Sequence, residues 1–396
     1  MEYLTKHKHF PRQIGIIPDK PAPMKKKITG LLLSLAILFS GCAKITKFTD
    51  TITKPSARDA YKRDFKNDPR YASWTAAFEL AVQDKVEVDL PYSEKGRFTS
   101  QFLQTYSYTI TLKEGEALVA EVKADSINRQ IFFDLYQINN AGIQLAVSGK
   151  QNESSIEFEV NDSGTYKLII QPELDFNSAF TLLINKKPQF GFPVAGKGNS
   201  SILSLMGMPR DNGQRLHEGI DIFAKKGTPV VAVTNGIISG TGDHGLGGKQ
   251  VWQRAGTFGK ALYYAHLDSV AVNPGKQVSM GDTLGFVGNT GNAKGGPPHL
   301  HFGIYRSFGA VDPLPFVYKT PTISSAGFKN TFKKSLLKVS SAKASIRQGP
   351  SSKSSKFGEL AKSDTIVLLG QHKEWLHVKI SNGTSAFIHK DLVKEL

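Results

Sequence analysis

The spacing of apolar and polar positions changes several times along this 396-residue chain. Near residues 69–82 it is helical: Asp68-Pro69 offers a cap and a first-turn proline, and Tyr71, Trp74, Phe78 and Ala81 recur on one face. That spacing predicts one short helix packed on the next domain, with a polar, mixed-charge tether ahead of it, the two together filling 43–89. From 90 to 187 the period becomes two. Tyr106, Tyr108, Ile110 and Leu112 alternate with polar residues, as do Ile156, Phe158 and Val160, and then Phe180, Leu182 and Ile184. Turns at Asn140-Ala141-Gly142 and Asp162-Ser163-Gly164 separate such strands, which predicts a β-sandwich acting as a spacer or binding domain. Residues 188–318 are glycine-rich with many strands of Val, Ile and Tyr. A Pro/Ser/Gly/Thr stretch at 319–332 reads as a linker, and short strands return in 333–396, at 365–369, 375–380 and 385–388. The fold class predicted is mainly β.

The earliest segment has a different character. Lys25-Lys26-Lys27 precedes a mostly apolar run from Ile28 to Phe39, followed by Ser40-Gly41-Cys42. A basic region, a short apolar region and small residues describe an export signal. Twelve helical residues reach roughly 18 Å, short of the ~30 Å hydrocarbon core, so a permanent span is not expected. The block resembles a bacterial lipoprotein box, which implies acylation of Cys42; Phe39 stands where that box usually has Leu. Residues 1–42 are therefore read as a start extension and a lipoprotein signal, with Met24 the expected start. Cys42 is the one cysteine, so neither an intrachain disulfide nor a thiolate metal site is available. The net charge of +16 implies affinity for polyanions without choosing among nucleic acid, acidic membrane and anionic wall polymer.

Chemistry concentrates in 188–318. His217-Glu218-Gly219-Ile220-Asp221 is followed by Tyr263-Tyr264-Ala265-His266 and then His299-Leu300-His301. Two imidazoles and a carboxylate are the proportions of an open zinc site, which keeps a fourth position for water. In an extended strand the side chains of His217 and Asp221 would lie roughly 13 Å apart, so the chain must bend, with Gly219 as hinge. His299 and His301, two apart on a strand, face the same side at about 7 Å, so one can ligate while the other stands over the water. Of the neighbours, Arg210 suits a substrate carboxylate or a turn cap equally, and Glu218 is expected to point away from the site. Tyr263 and Tyr264 read as core, His244 as a loop residue, and Asp268 as a turn acid or an orienting partner.

These blocks, with Gly288-Asn289-Thr290-Gly291 and Pro298-His299-Leu300-His301-Phe302, resemble the lysostaphin/LytM-type zinc metallopeptidases, which cut peptide cross-links of peptidoglycan. Gly227-Thr228-Pro229-Val230 and Gly281-Asp282-Thr283-Leu284-Gly285 match turns of the same family. The resemblance implies His217, Asp221 and His301 as Zn2+ ligands and His299 as catalytic base. It implies His266 as the second catalytic imidazole, donating to the oxyanion. Two departures bear on substrate specificity: Gly303 replaces a frequent acidic residue, and Ala293-Lys294-Gly295-Gly296-Pro297 lacks the usual Ser-Thr-Gly before Pro-His.

Two further resemblances frame this domain. Gly164 to Ile170 resembles a strand of bacterial pre-peptidase C-terminal domains. The tail resembles a bacterial SH3-like β-barrel through Ile346-Arg347-Gln348-Gly349-Pro350, Gly358-Glu359-Leu360, Trp375, Gly383 and Phe387-Ile388. Such barrels commonly bind cell-wall peptides. The function expected is a zinc-dependent endopeptidase of peptidoglycan. The alternatives are a non-catalytic LytM-like regulator of another wall hydrolase and a zinc-stabilised binding lipoprotein. The partners expected are peptidoglycan and, through lipid on Cys42, a membrane; nucleic acid is not expected, and oligomeric state is left open. The cell envelope, at the periplasmic face of an outer membrane, is the expected location.

Overall fold

The structure is a computed structural model that describes residues 55–125, 129–256 and 259–396. The export signal, Cys42 and the first part of the tether lie outside the described residues. Where a tether was expected, Ala57–Phe65 is a helix started by Ser56, whose hydroxyl accepts the Asp59 amide at 3.1 Å. Arg58 made this stretch look solvated. Its guanidinium is instead buried, paired with Asp134 and lying against the rings of Trp74, Phe78 and Phe132. The expected helix follows as Tyr71–Gln83, burying Trp74, Ala77, Phe78 and Ala81.

The sandwich comprises β1 (Tyr92–Phe98), β2 (Tyr106–Leu112), β3 (Glu116–Ala124), β4 (Ile131–Asn139), β5 (Gly142–Ser148), β6 (Ser155–Glu159), β7 (Gly164–Pro172) and β8 (Ser178–Pro188). One sheet has the order β2-β7-β4-β5, and β1-β8-β3-β6 forms the other. The alternating residues Tyr106, Tyr108 and Ile110 from the first sheet and Leu182 and Ile184 from the second share one core.

The next domain carries β9 (Ile202–Ser204), the ribbon β10 (Pro209–Arg210) with β11 (Arg215–Leu216), β12 (Ile220–Phe223) and β13 (Pro229–Val231). The long strands β14 (Gly236–His244), β15 (Gly248–Arg254) and β16 (Ala261–Val270) follow. The domain ends with β17 (Gln277–Val278), β18 (Thr283–Val287), β19 (His299–Arg306), β20 (Gly309–Val311) and a helical turn at Leu314–Val317. Its antiparallel sheet runs β17-β14-β15-β16-β19-β12-β9. Ile220, Ile222, Tyr264, Leu300, Phe302 and Phe316 fill the core beneath it.

The last module has β21 (Leu336–Val339), β22 (Lys343–Arg347), β23 (Lys356–Ala361), β24 (Thr365–His372), β25 (Trp375–Lys379), β26 (Ser385–His389) and β27 (Val393–Glu395). A closed barrel was expected here, and the strands do not close. Their order is β23-β22-β26-β25-β24, and β24 continues onto sandwich strand β1 through Lys95↔Gln371 and Gly96↔Gly370. The edge that would have sealed the barrel is used for the neighbouring domain. The linker, too, is fastened. Asn185 bonds both the amide and the carbonyl of Ile323, the Thr320 hydroxyl donates to the Lys186 carbonyl, and Lys95 donates to the Phe328 carbonyl at 2.6 Å.

Candidate metal centre and cleft

The site is assembled by strand pairing. In β12 and β19, Asp221 lies opposite His301 and Phe223 opposite His299. The chain bends at Gly219, which returns His217 from the end of the ribbon to Asp221. A Cβ at Gly219 would lie 2.5 Å from the Phe302 carbonyl oxygen and 2.8 Å from His301 Cε1. Glycine is thus required by close approach of β19 and not by backbone conformation alone.

His217 Nε2, His301 Nδ1 and Asp221 Oδ1 form a triangle with sides of 2.9, 3.0 and 3.0 Å. This is close to the roughly 3.3 Å separating ligand atoms held ~2.0 Å from a tetrahedral ion. The protonation pattern fits a cation as well. His217 Nδ1 donates to the Leu205 carbonyl at 2.9 Å, so in the neutral ring Nε2 carries a lone pair facing the Asp221 carboxylate. Two lone pairs meeting at that distance call for a positive charge between them. Burial alone would raise the Asp221 carboxyl, but hydrogen bonds from His217 and His301, and their charge, outweigh it and hold the group far below the carboxylate range. Arg210 Nη2 holds the other oxygen, Oδ2, at 2.9 Å and also donates to Ser204 Oγ. Arg210 therefore orients a ligand; it is neither a turn cap nor free for substrate.

The remaining two imidazoles stand beside the triangle. The His266 and His299 rings are 5.0 Å apart, and His299 stacks on Phe223 at 4.9 Å. His299 Nδ1 donates to the Pro297 carbonyl and His266 Nδ1 to the Thr290 carbonyl, each at 2.9 Å. Both rings, when neutral, present Nε2 as an acceptor. Burial first, then the charges of His299 and His301, push His266 down to about 4. At neutral pH His266 is thus an acceptor, not the oxyanion donor expected from sequence. Donation requires that it first take up a proton.

The position of His266 depends on a break in alternation. Leu262 and Tyr264 point into the core, and so does Leu267, which is three residues further on and not two. His266 absorbs the extra residue with φ 61°, and the register of β16 shifts where Leu267 pairs with β18. The Leu262-Tyr264-Leu267 spacing was the sequence signal of that bulge. Other neighbours differ from expectation. Tyr264 is core, but Tyr263 and Glu218 line the cleft beside the ligands. His244 Nδ1 meets the Gln250 amide at 2.8 Å, and Asp268 pairs with Lys226 at 2.9 Å.

Comparison with known proteins agrees with this geometry. Residues 215–313 match the model of peptidase family M23, and residues 342–394 match the bacterial SH3 domain. The L-Ala--D-Glu endopeptidase of Bacillus subtilis is 34% identical over 32% of this chain and 42% of its own length. The DD-carboxypeptidase/endopeptidase Mpg of Neisseria meningitidis is 38% identical over 28% of this chain and 25% of its own. The chain thus spans less than half the length of these curated relatives. Among solved structures, the catalytic domain of lysostaphin from Staphylococcus simulans aligns at 29% identity with a TM-score of 0.26, covering 32% of this chain and 90% of that one. The M23 family implies a metal, typically zinc, for which the triangle of donors is suited. Residues 215–313 are therefore an M23 peptidase domain of the LytM and lysostaphin type, joined in one chain to a bacterial SH3 domain at 342–394.

Proposed function

We propose that this chain is a zinc-dependent endopeptidase hydrolysing peptide cross-links of bacterial peptidoglycan, held to a membrane by lipid on Cys42 and acting in the periplasm from an outer membrane. The observation that carries the catalytic reading is the triangle of His217, Asp221 and His301 with two acceptor imidazoles beside it. A zinc ion held there supplies Lewis acidity, activating water and polarising a carbonyl. The residues do the rest. Asp221, fixed by Arg210, stays ionised, and His217 is locked in the tautomer that leaves Nε2 free. His299 Nε2 accepts the proton of the attacking water and returns it to the leaving amine. His266 accepts at neutral pH; once protonated, its Nε2–H becomes a donor for negative charge on the scissile oxygen.

The non-catalytic regulator reading requires a damaged site, whereas all five side chains are present and converge. Zymography on purified peptidoglycan tests the assignment. The zinc-loaded chain is expected to clear the gel and Asp221→Ala to leave it intact. His299→Ala is expected to keep its zinc and lose cleavage by at least ~10²-fold. Absence of clearing by the loaded, unmutated chain sinks the enzyme reading, and zinc loss in His299→Ala reverses the roles of His299 and His301.

A further inference from the structure

The cleft extends past the metal ligands into a pocket for which the reaction has no need. Along β19, His301, Gly303 and Tyr305 share one face, and the pocket of about 530 Å³ continues from the ligands to Trp252, Tyr263 and Tyr305. Trp252 lies 4.3 Å from Tyr263 and 5.5 Å from Tyr305, centroid to centroid, and all three rings are half-buried. Tyr305 leans back toward the metal centre. A Cβ at Gly303 would come within 2.9 Å of Tyr305 Cε2 and 3.4 Å of its hydroxyl. Gly303 is where related sequences often carry an acid, so an aromatic ring here occupies the space such a side chain would use.

One carboxylate faces this wall. Glu218 is exposed, makes no ion pair among the described residues, and its charge lies next to the Tyr305 hydroxyl, which with burial pushes that phenol up to about 12. The nearby cations are engaged: Arg215 with Asp211 at 3.0 Å and Arg210 with Asp221 at 2.9 Å. Three aromatic faces with a free carboxylate at their edge have the chemistry of an alkyl-ammonium site. The faces take methylenes and a cation, and the carboxylate takes the N–H groups.

We propose that Trp252, Tyr263, Tyr305 and Glu218 form a specificity subsite that selects a substrate residue bearing a primary-amine side chain, a diamino acid of the stem peptide. This rests on reading the cleft as a site for peptidoglycan peptides. Full chain loaded with zinc is titrated calorimetrically with the stem pentapeptide L-Ala-γ-D-Glu-L-Lys-D-Ala-D-Ala, its lysine amine free or acetylated, and cleavage of both is followed by mass spectrometry. The free amine is expected to bind about tenfold more tightly than the acetylated peptide. In Glu218→Gln that ratio is expected to fall to within about twofold, and Tyr305→Ala is expected to weaken binding of both peptides. Equal affinities in the unmutated chain overturn the subsite, and an unchanged ratio in Glu218→Gln overturns the role of its carboxylate. If neither peptide is cut the hydrolase reading fails, yet the affinity ratio still decides the subsite; if neither binds, both fall.

Discussion

His266 shows how much one side chain's surroundings decide. Its left-handed backbone turns the ring into the cleft, and its bond to the Thr290 carbonyl fixes the tautomer. Burial and the neighbouring imidazoles hold its folded pKa near 4, against 6.5 for a free ring. The unfolded chain therefore binds the proton first as pH drops, so this residue does not reduce stability above about 6.5. It costs stability progressively down to about 4, by at most roughly 3 kcal/mol. In metal-free protein, His266→Asn should lose less thermal stability between pH 7 and pH 4.5 than the unmutated chain, because Asn tolerates positive φ and does not titrate. Parallel melting curves for the two proteins across that range would refute the assignment. None of this shift was readable from the Tyr-Ala-His-Leu block, since burial and neighbouring rings exist only after β15, β16 and β19 pair.

At the scale of elements, the legible part of the site was whatever a single strand carries. His299 and His301 share a face because strands alternate, and the structure places them so. Asp221 opposite His301 was not legible, because it follows from the register of two strands about eighty residues apart. The helix Ala57–Phe65 was missed for a different reason. Ala57, Ala60, Tyr61 and Phe65 have helical spacing, but Arg58 and its charged neighbours hid a stripe that packs on Phe132. The bend at Gly219 was legible while its cause was not. With Phe302 O and His301 Cε1 so near any added Cβ, Gly219→Ala must displace β19 or tilt the His301 ring. The expected result is an unchanged far-ultraviolet circular dichroism spectrum with zinc affinity lowered at least ~10-fold, measured by chelator competition. Full zinc affinity in a folded Gly219→Ala protein would show that the approach is more forgiving than this contact implies.

Across the whole molecule, the sandwich is a hub and not a loose spacer. On one side Phe316 packs under Gly115, Arg306 pairs with Glu114, and Gln189 bonds the carbonyls of Glu116 and Val160. On the other, β1 and β24 share a sheet, and Leu369 and Phe387 of the SH3 module complete the sandwich core. At this seam Glu94 and His377 are paired at 3.1 Å with no exposure, and the Tyr92 and Tyr108 hydroxyls donate to Glu94 at 2.6 and 2.9 Å. Burial alone would raise the Glu94 carboxyl, but His377 and the two phenols more than offset it and keep it ionised. Its contribution is thus present above the ordinary carboxylate range and is lost as pH falls through the lowered folded value. Glu94→Ala strands an imidazole and two phenols in an apolar seam, a defect of roughly 3–5 kcal/mol. Because the core under the metal centre is a separate cluster, the variant should keep its zinc. Scanning calorimetry should then show the SH3 module melting ahead of the peptidase domain, where the unmutated chain couples SH3 and sandwich in one transition. A variant that melts like the unmutated chain would mean that the shared sheet alone holds the modules together, with the buried pair contributing nothing net.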